Sequence, residues 1–303
     1  MSMTIATALP TRNRPDDLVA AVNSILTQRR VPDELIVIDQ SPGDESRRLV
    51  EARIGLNSTI RLTYIHDQSI AGLVPAKRVA AELSGSDILC FLEDDVVLEP
   101  DYLAEMETGF LQRADMLGCC GVVTNLPPLP PFYGSLFHLF HRGIYRDPRV
   151  GIHGCFEGGG HVLIPSRALS GGLSAWRREV FDAIPFDVAN DFFMLEDIDF
   201  STRAEANFGP RFYINPNARL AHNMSPLNRA RLGERQRRKL REYLMFYKKR
   251  SANPGALPNL LWLLPGLLLE AMMQALFCRS LAPLKGYVAG LRDGVRRKLV
   301  GSM

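Results

Sequence analysis

The sequence predicts an α/β protein built on a doubly wound, mostly parallel sheet, with a helical C-terminal extension suited to a membrane surface. Three observations carry that prediction. Strand-like runs recur at Thr4–Leu9, Leu35–Ile38, Ile60–Ile65 and Ile88–Leu92. Segments of helical spacing separate them with short links, and a β-α-β-α-β-α-β order gives parallel strands through right-handed crossovers. The last run ends in Glu93-Asp94-Asp95. A buried strand ending this way puts negative charge at the carboxyl edge of the sheet, where ligands sit in open α/β folds. Three adjacent carboxylates repel one another unless positive charge lies between them. Oxygen ligands of this kind suit a hard divalent cation such as Mg²⁺ or Mn²⁺. An acidic turn in water is the plain alternative.

The elements follow in order. Strand Thr4–Leu9 leads into the loop Pro10-Thr11-Arg12-Asn13-Arg14, and Pro15 suits the first turn of a helix. Leu18, Val22, Ile25 and Leu26 recur at helical spacing. Leu35–Ile38 ends at Asp39, and Ser41-Pro42-Gly43-Asp44 marks a turn before a helix over Glu45–Arg53. After Ile60–Ile65, Pro75 sits early in a helix over Val74–Leu83. Beyond the acidic run, Tyr102–Leu111 is expected as helix and Cys119–Val123 as strand.

The rhythm then breaks. Leu126 to Gly160 holds Pro127-Pro128, Pro130-Pro131 and Gly158-Gly159-Gly160, which predicts an irregular insertion, either a lid or a passive surface loop. His138, His141, His153 and His161 fall here without metal-site spacing and are expected as ordinary loop or substrate-contact residues. Gly171–Trp176 is expected as strand and Arg177–Ala183 as a short helix. Glu196-Asp197-Ile198-Asp199 opens a helix to about Asn207, where acidic residues also suit the helix dipole. Arg211–Ile214 and Ala218–Leu220 read as two short strands, the second ending at His222.

Asn228–Arg250 is helical and basic, with ten Lys or Arg against Glu234 and Glu242. Leu257–Phe277 is apolar, but Pro265 and Glu270 make its uncharged run too short and interrupted for a spanning helix. Basic residues return at Lys285, Arg292, Arg296, Arg297 and Lys298. An apolar helix flanked by basic segments predicts an interfacial membrane anchor, with a core helix beside a solvated basic neighbour as the alternative. No nucleic acid is expected, because no zinc spacing, aromatic RNA-binding motif or recognition-helix pattern accompanies the charge. The net charge of +3 is small, and the five cysteines lack metal-site spacing. The N-terminus runs directly into the first strand without a signal peptide, so a cytoplasmic location, peripheral on the inner face of the cell membrane, is expected.

The loop at Pro10–Arg14, Asp39, Glu93-Asp94-Asp95 and Glu196-Asp197-Ile198-Asp199, in that order, resemble the inverting nucleotide-sugar glycosyltransferases of family 2, with the GT-A fold, over roughly residues 3 to 250. The resemblance implies a catalytic domain over 1–225, with a nucleotide-sugar half to about 125 and an acceptor half over 126–225, followed by the extension 226–303. It implies that Pro10, Thr11, Arg12, Arg14 and Asp39 hold the nucleotide, with Lys77, Arg78 and Asp94 also serving the donor. Asp95 would be the direct ligand of Mg²⁺ or Mn²⁺, and His222 would close the metal site or touch the diphosphate. Asp197 would be the general base and Glu196 its orienting partner or an acceptor contact; loss of the Asp199 charge is expected to be milder if that residue only supports the helix start.

The reaction implied is transfer of a single sugar from a nucleotide-diphosphate donor to a hydroxyl of a glycan or lipid-linked acceptor, in cell-surface polysaccharide synthesis. The chain departs from the family pattern at Ala76-Lys77-Arg78, where Ala-Arg-Asn is common, and at Ile184-Pro185-Phe186-Asp187, where Gly-Gly-Phe-Asp is usual. It also lacks the Gln-x-x-Arg-Trp motif of processive synthases. A sugar-nucleotide pyrophosphorylase is disfavoured because Pro10–Pro15 contains no glycine to wrap a triphosphate. A non-catalytic, membrane-associated sugar-nucleotide binder is disfavoured by the presence of both acidic motifs.

Overall fold

The computed structural model describes residues 3–55, 59–126, 132–147, 149, 162–190, 192–224 and 231–300. The described strands form one nine-stranded sheet. β1 (Ile5–Thr11), β2 (Glu34–Asp39), β3 (Arg61–His66) and β4 (Ile88–Leu92) alternate with α1 (Pro15–Leu26), α2 (Glu45–Ile54) and α3 (Leu73–Leu83). They stand in the order β3-β2-β1-β4, every pair parallel. β2 and β4 are buried along their whole length, so they read as unbroken apolar runs rather than alternating ones. Parallel pairing with β1 between β2 and β4 gathers their carboxyl ends on one edge. Thr11, Asp39 and the Glu93-Asp94-Asp95 run therefore lie along one edge of the sheet, the edge at which ligands sit in open α/β folds.

The second half is mixed. It contains β5 (Val96–Leu98), α4 (Tyr102–Gln112), β6 (Gly118–Val123), α5 (Tyr133–Phe140), β7 (Ile164–Ser166), β8 (Leu173–Arg177), α6 (Arg178–Ala183), α7 (Glu196–Phe208) and β9 (Phe212–His222). β8 runs antiparallel to both β4 and β6. β9 is parallel to β6 and antiparallel to β5 and β7.

Two expectations change here. The two short strands over 211–220 are one strand, β9. Asn215-Pro216-Asn217 has the composition of a turn, but it forms a bulge inside the strand, where the register against β6 shifts between Cys120 and Val122. A bulge is where a strand tolerates a proline that cannot donate to the ladder. Gly121 lies opposite, and a Cβ there would sit 2.2 Å from the Ala218 carbonyl oxygen. The insertion is also more regular than expected, since it contains α5 and a 3-10 turn at Gly143–Tyr145. His141 is buried there with Nε2 3.1 Å from the Tyr243 hydroxyl, a packing role rather than a loop contact. The Gly158–Gly160 run, His153 and His161 lie outside the described residues.

The extension forms α8 (Leu232–Lys249), α9 (Ala256–Phe277) and α10 (Ala282–Arg296). α9 is continuous through Pro265, contrary to the interrupted segment expected. At 22 residues it is long and apolar enough, by length and composition, to cross a membrane. Pro265 removes one backbone donor, but leucines on both sides of it pack inward. Leu260, Leu263 and Leu267 join Leu240, Leu244, Phe246, Phe192 and Leu195 in a second apolar cluster beside the sheet's own core. The opposite face of α9 exposes Leu261, Trp262, Met272, Leu276 and Phe277.

α10 lies against α8 along Gly286, Gly290 and Gly294. A Cβ at Gly290 would sit 2.4 Å from the Arg237 carbonyl oxygen, and one at Gly286 2.1 Å from that of Gly233. The two helix backbones are in contact, and only glycine fits between them. Gly290→Val should therefore force the helices apart and lower stability by about 1–3 kcal/mol, the usual cost of overpacking. Thermal unfolding measures it, and an unchanged melting temperature would show that the crossing is not tight.

Candidate active site

β1 and β4 are parallel neighbours, so the loop after one faces the acidic run after the other. Thr11 Oγ1 donates to Asp94 Oδ2 at 2.7 Å, and Arg14 Nη1 donates to Asp94 Oδ1 at 2.8 Å and Asp95 Oδ2 at 3.4 Å. Burial pushes the Asp94 carboxyl up to about 6, against the pull of Thr11 and Arg14. Asp39, at the end of β2, is fully buried. Its Oδ1 accepts the Ser41 N–H at 2.9 Å and its Oδ2 the Tyr64 hydroxyl at 2.7 Å. Pro10 lies half-buried in β1 just before its last residue, Thr11, and Arg12 is exposed.

The second group is built from both halves of the sheet. β5 pairs with β9 so that Val96 stands opposite His222. His222 Nε2 consequently lies 3.1 Å from Asp95 Oδ1 and 3.0 Å from Glu93 Oε2. One donor atom from each of Glu93, Asp95 and His222 lies within 4.8 Å of the others. Hydrogen bonds to Asp95 and then Glu93 push His222 up to about 10. Two carboxylates and an imidazole, aimed at one point, fit a divalent cation of the Mn²⁺ or Mg²⁺ type. Glu93 was not among the expected ligands. Its signal was its place in the acidic run, but only the position of β9 shows which carboxylates face His222.

A turn at Gly171-Gly172 separates this group from the second acidic motif. A Cβ on Gly172 would lie 2.3 Å from Glu93 Cγ, and one on Gly171 would lie 2.0 Å from Glu196 Oε1. Lys77 is buried, ion-paired to Glu196, and also bonded to the Gly171 carbonyl at 2.9 Å. Arg78, one residue on, faces solvent and pairs with Glu82 on the outside of α3, so the structure does not bring it to the site.

Asp197, the second residue of α7, has both oxygens engaged. Oδ1 accepts the Ile198 N–H at 2.7 Å, and Oδ2 accepts Arg149 Nη1 at 2.6 Å and the Gly171 N–H at 3.3 Å. Arg149 is buried and holds Asp147 through Nε at 2.8 Å and Nη2 at 2.7 Å. Sequence reasoning missed Arg149, because nothing in the insertion's composition marks it.

The model for glycosyl transferase family 2 matches residues 7–184, more than half of the chain, and the chain belongs to that family of inverting nucleotide-sugar enzymes. No curated protein matches the chain. Among solved structures it is similar to the mannosyltransferase PcManGT from Pyrobaculum calidifontis in complex with GDP-Man and Mn²⁺. That match has a TM-score of 0.61 at 15% identity, covering 97% of this chain and 86% of that one. It is also similar to TarS 1–349 of S. aureus, with a TM-score of 0.60 at 14% identity, covering 97% and 80%. GalNAc-T7 with UDP, GalNAc and Mn²⁺ follows, with a TM-score of 0.58 at 15% identity, covering 84% and 52%. These likenesses show the GT-A fold.

Asp199 does more than support a helix start. It is 2% exposed, and Arg203, Lys249 and Arg250 converge on it at 2.9 Å, 2.9 Å and 3.1 Å. Burial disfavours its charge, yet Arg203, Lys249 and Arg250 together hold it below the usual carboxylate range. A depressed folded pKa contributes stability above the unfolded value of about 3.9, lost as pH falls through the folded value. Asp199→Asn leaves buried cations without their anion and should cost about 3–5 kcal/mol. Chemical unfolding at neutral pH checks this, and a cost under about 1 kcal/mol would place the cluster among weak surface pairs.

Proposed function

We propose that the protein transfers a single sugar from a nucleotide-diphosphate donor to a hydroxyl of a glycan or lipid-linked acceptor, in a divalent-cation-dependent inverting reaction of cell-surface polysaccharide synthesis. The observation that carries this reading is the placing of two acidic groups on either side of the Gly171-Gly172 turn. One group, Glu93, Asp95 and His222, would hold Mn²⁺ or Mg²⁺. When bound, that cation neutralises the diphosphate as it leaves. GDP-Man and UDP with Mn²⁺ in the similar structures support this choice of donor and metal.

The chain's own residues supply the rest. Thr11 and Arg14 fix Asp94, and Asp39, which holds the Ser41 N–H and the Tyr64 hydroxyl, orders the end of β2 on the nucleotide side of the site. Lys77 serves as the counter-ion of Glu196 rather than as a diphosphate contact. Asp197 Oδ2 already accepts two donors, whereas Oδ1 accepts one. The acceptor's proton therefore goes to Oδ1, and the freed oxygen attacks the anomeric carbon directly, which inverts it without an enzyme nucleophile.

The test is nucleotide release from a panel of UDP-, GDP- and dTDP-sugars with acceptor extracts. Release should require Mn²⁺ or Mg²⁺ and fall by about 10²–10⁴ in Asp197→Asn, with donor affinity kept. Release unaffected by EDTA would remove the metal. Donor binding without release would favour a non-catalytic binder. A variant keeping more than about a tenth of turnover would move the base to Glu196.

The same reading places the enzyme on the inner face of the cell membrane. α8 contributes less than its charge suggested. Lys239 pairs with Glu270, Arg237 with Asp293, and Lys248 caps the carbonyls of Gly294, Val295 and Arg297. Exposed cations that could meet anionic lipid include Arg235 on α8 and Arg296 and Lys298 at the end of the chain, while on α10 Lys285 lies beside the exposed Leu281 and Val288. Vesicles of phosphatidylglycerol and phosphatidylcholine should bind the chain, less so in high salt, and lose a variant carrying Leu261→Ser, Leu276→Ser and Phe277→Ser. These positions face outward, so the inner cluster stays intact; equal binding by variant and parent would assign the face to something other than a bilayer.

A further inference from the structure

α8 grips the segment that leads into Glu196-Asp197. Glu242, Phe246 and Lys249 recur on α8 at helical spacing. Lys249 bonds Asp187 at 2.5 Å and Asp199 at 3.0 Å, and Phe246 meets the edge of Phe192 with ring centroids 6.4 Å apart. One turn earlier, Glu242 Oε2 accepts three consecutive backbone N–H groups, from Phe193 at 3.2 Å, Met194 at 2.7 Å and Leu195 at 3.2 Å. Successive amides converging on one point form an anion-binding concavity. Here the anion is the protein's own side chain.

The arrangement is costly. Glu242 is fully buried, and its Oε1 has no hydrogen-bond partner. Burial pushes its carboxyl up to about 7, against the three N–H groups that favour its charge. A leucine would fill the same space without that cost, but it would not orient three amides. Leu195 is the residue whose carbonyl accepts the Asp199 N–H at 2.8 Å and so sets the first turn of α7.

We propose that Glu242 is a positioning residue for Asp197, fixing the peptides of 193–195 and through them the helical turn from which the base projects. The proposal rests on Asp197 being the base. Misplacing a reacting group by about 1 Å costs on the order of 10² in rate, so the effect belongs to turnover and not to donor binding.

The experiment is a double-mutant cycle on the full chain, with Glu242→Gln, Asp197→Asn and the pair, read as kcat, donor KM and melting temperature. Glu242→Gln should lower kcat about tenfold or more and leave donor KM within about twofold. In the Asp197→Asn background it should cost nothing further, because the group it positions is gone. Equal fractional losses in both backgrounds, or an effect confined to melting temperature, would overturn the proposal. If Glu242→Gln does not fold, Glu242→Asp keeps the charge but withdraws it by one methylene, and the same cycle decides. Full turnover in Asp197→Asn alone would instead dismiss the base reading itself.

Discussion

The structure depends on how three consecutive carboxylates at the end of a buried strand are kept from repelling one another. Like charges about 4 Å apart cost about 4 kcal/mol at the effective dielectric near a protein surface. Glu93, Asp94 and Asp95 are compensated from two directions. Asp94 takes Thr11 and Arg14 from the loop after β1, and Glu93 and Asp95 share His222 from the end of β9. Arg14 also reaches Asp95 at 3.4 Å, so Asp95 lies between the two cations while Asp94 and Glu93 each meet one of them. The acidic run thus ties the first of the described strands to the last, and its charge is balanced only when β9 has paired.

Much of this was legible in the sequence, for a physical reason. β2 and β4 are buried on both faces, and a strand buried on both faces announces itself as an apolar run. The acidic motifs follow strand and helix boundaries, which local composition marks well. What escaped was set by distant partners. Asn215-Pro216-Asn217 has turn composition, and only Gly121 on the neighbouring strand makes it a bulge. Arg149 looks like any loop arginine until Asp147 and Asp197 surround it. The charge of α8 read as a surface feature because its acidic partners, Asp187, Asp199, Glu270 and Asp293, lie 31 or more residues away.

Those partners make α8 a shared element. One face holds the segment from Asp187 to Asp199, and another holds α10 through glycines. The cluster that includes Phe192 and Leu195 is closed by leucines of α9. The apolar helix whose outer face is proposed to meet lipid is therefore packed, through its inner face, against the residues just before the second acidic motif. On that reading, the membrane-facing surface and the acceptor side of the site share one rigid support.

The same logic of compensation separates the roles of Glu196 and Asp197. Two adjacent acids at a helix start favour the dipole but repel each other. Each receives its own cation from a different half of the fold, Lys77 for Glu196 and Arg149 for Asp197. The Lys77–Glu196 pair is sealed, with side chains 3% and 8% exposed, so no acceptor hydroxyl reaches it without breaking a buried ion pair. Asp197 keeps 19% of its side chain open, and its less crowded oxygen has a lone pair to spare. Charge neutralisation alone would allow either residue to be the base. On the proposed reading access favours Asp197, and the lysine that seals Glu196 also bonds the carbonyl of Gly171, the residue whose own N–H holds the crowded side of Asp197.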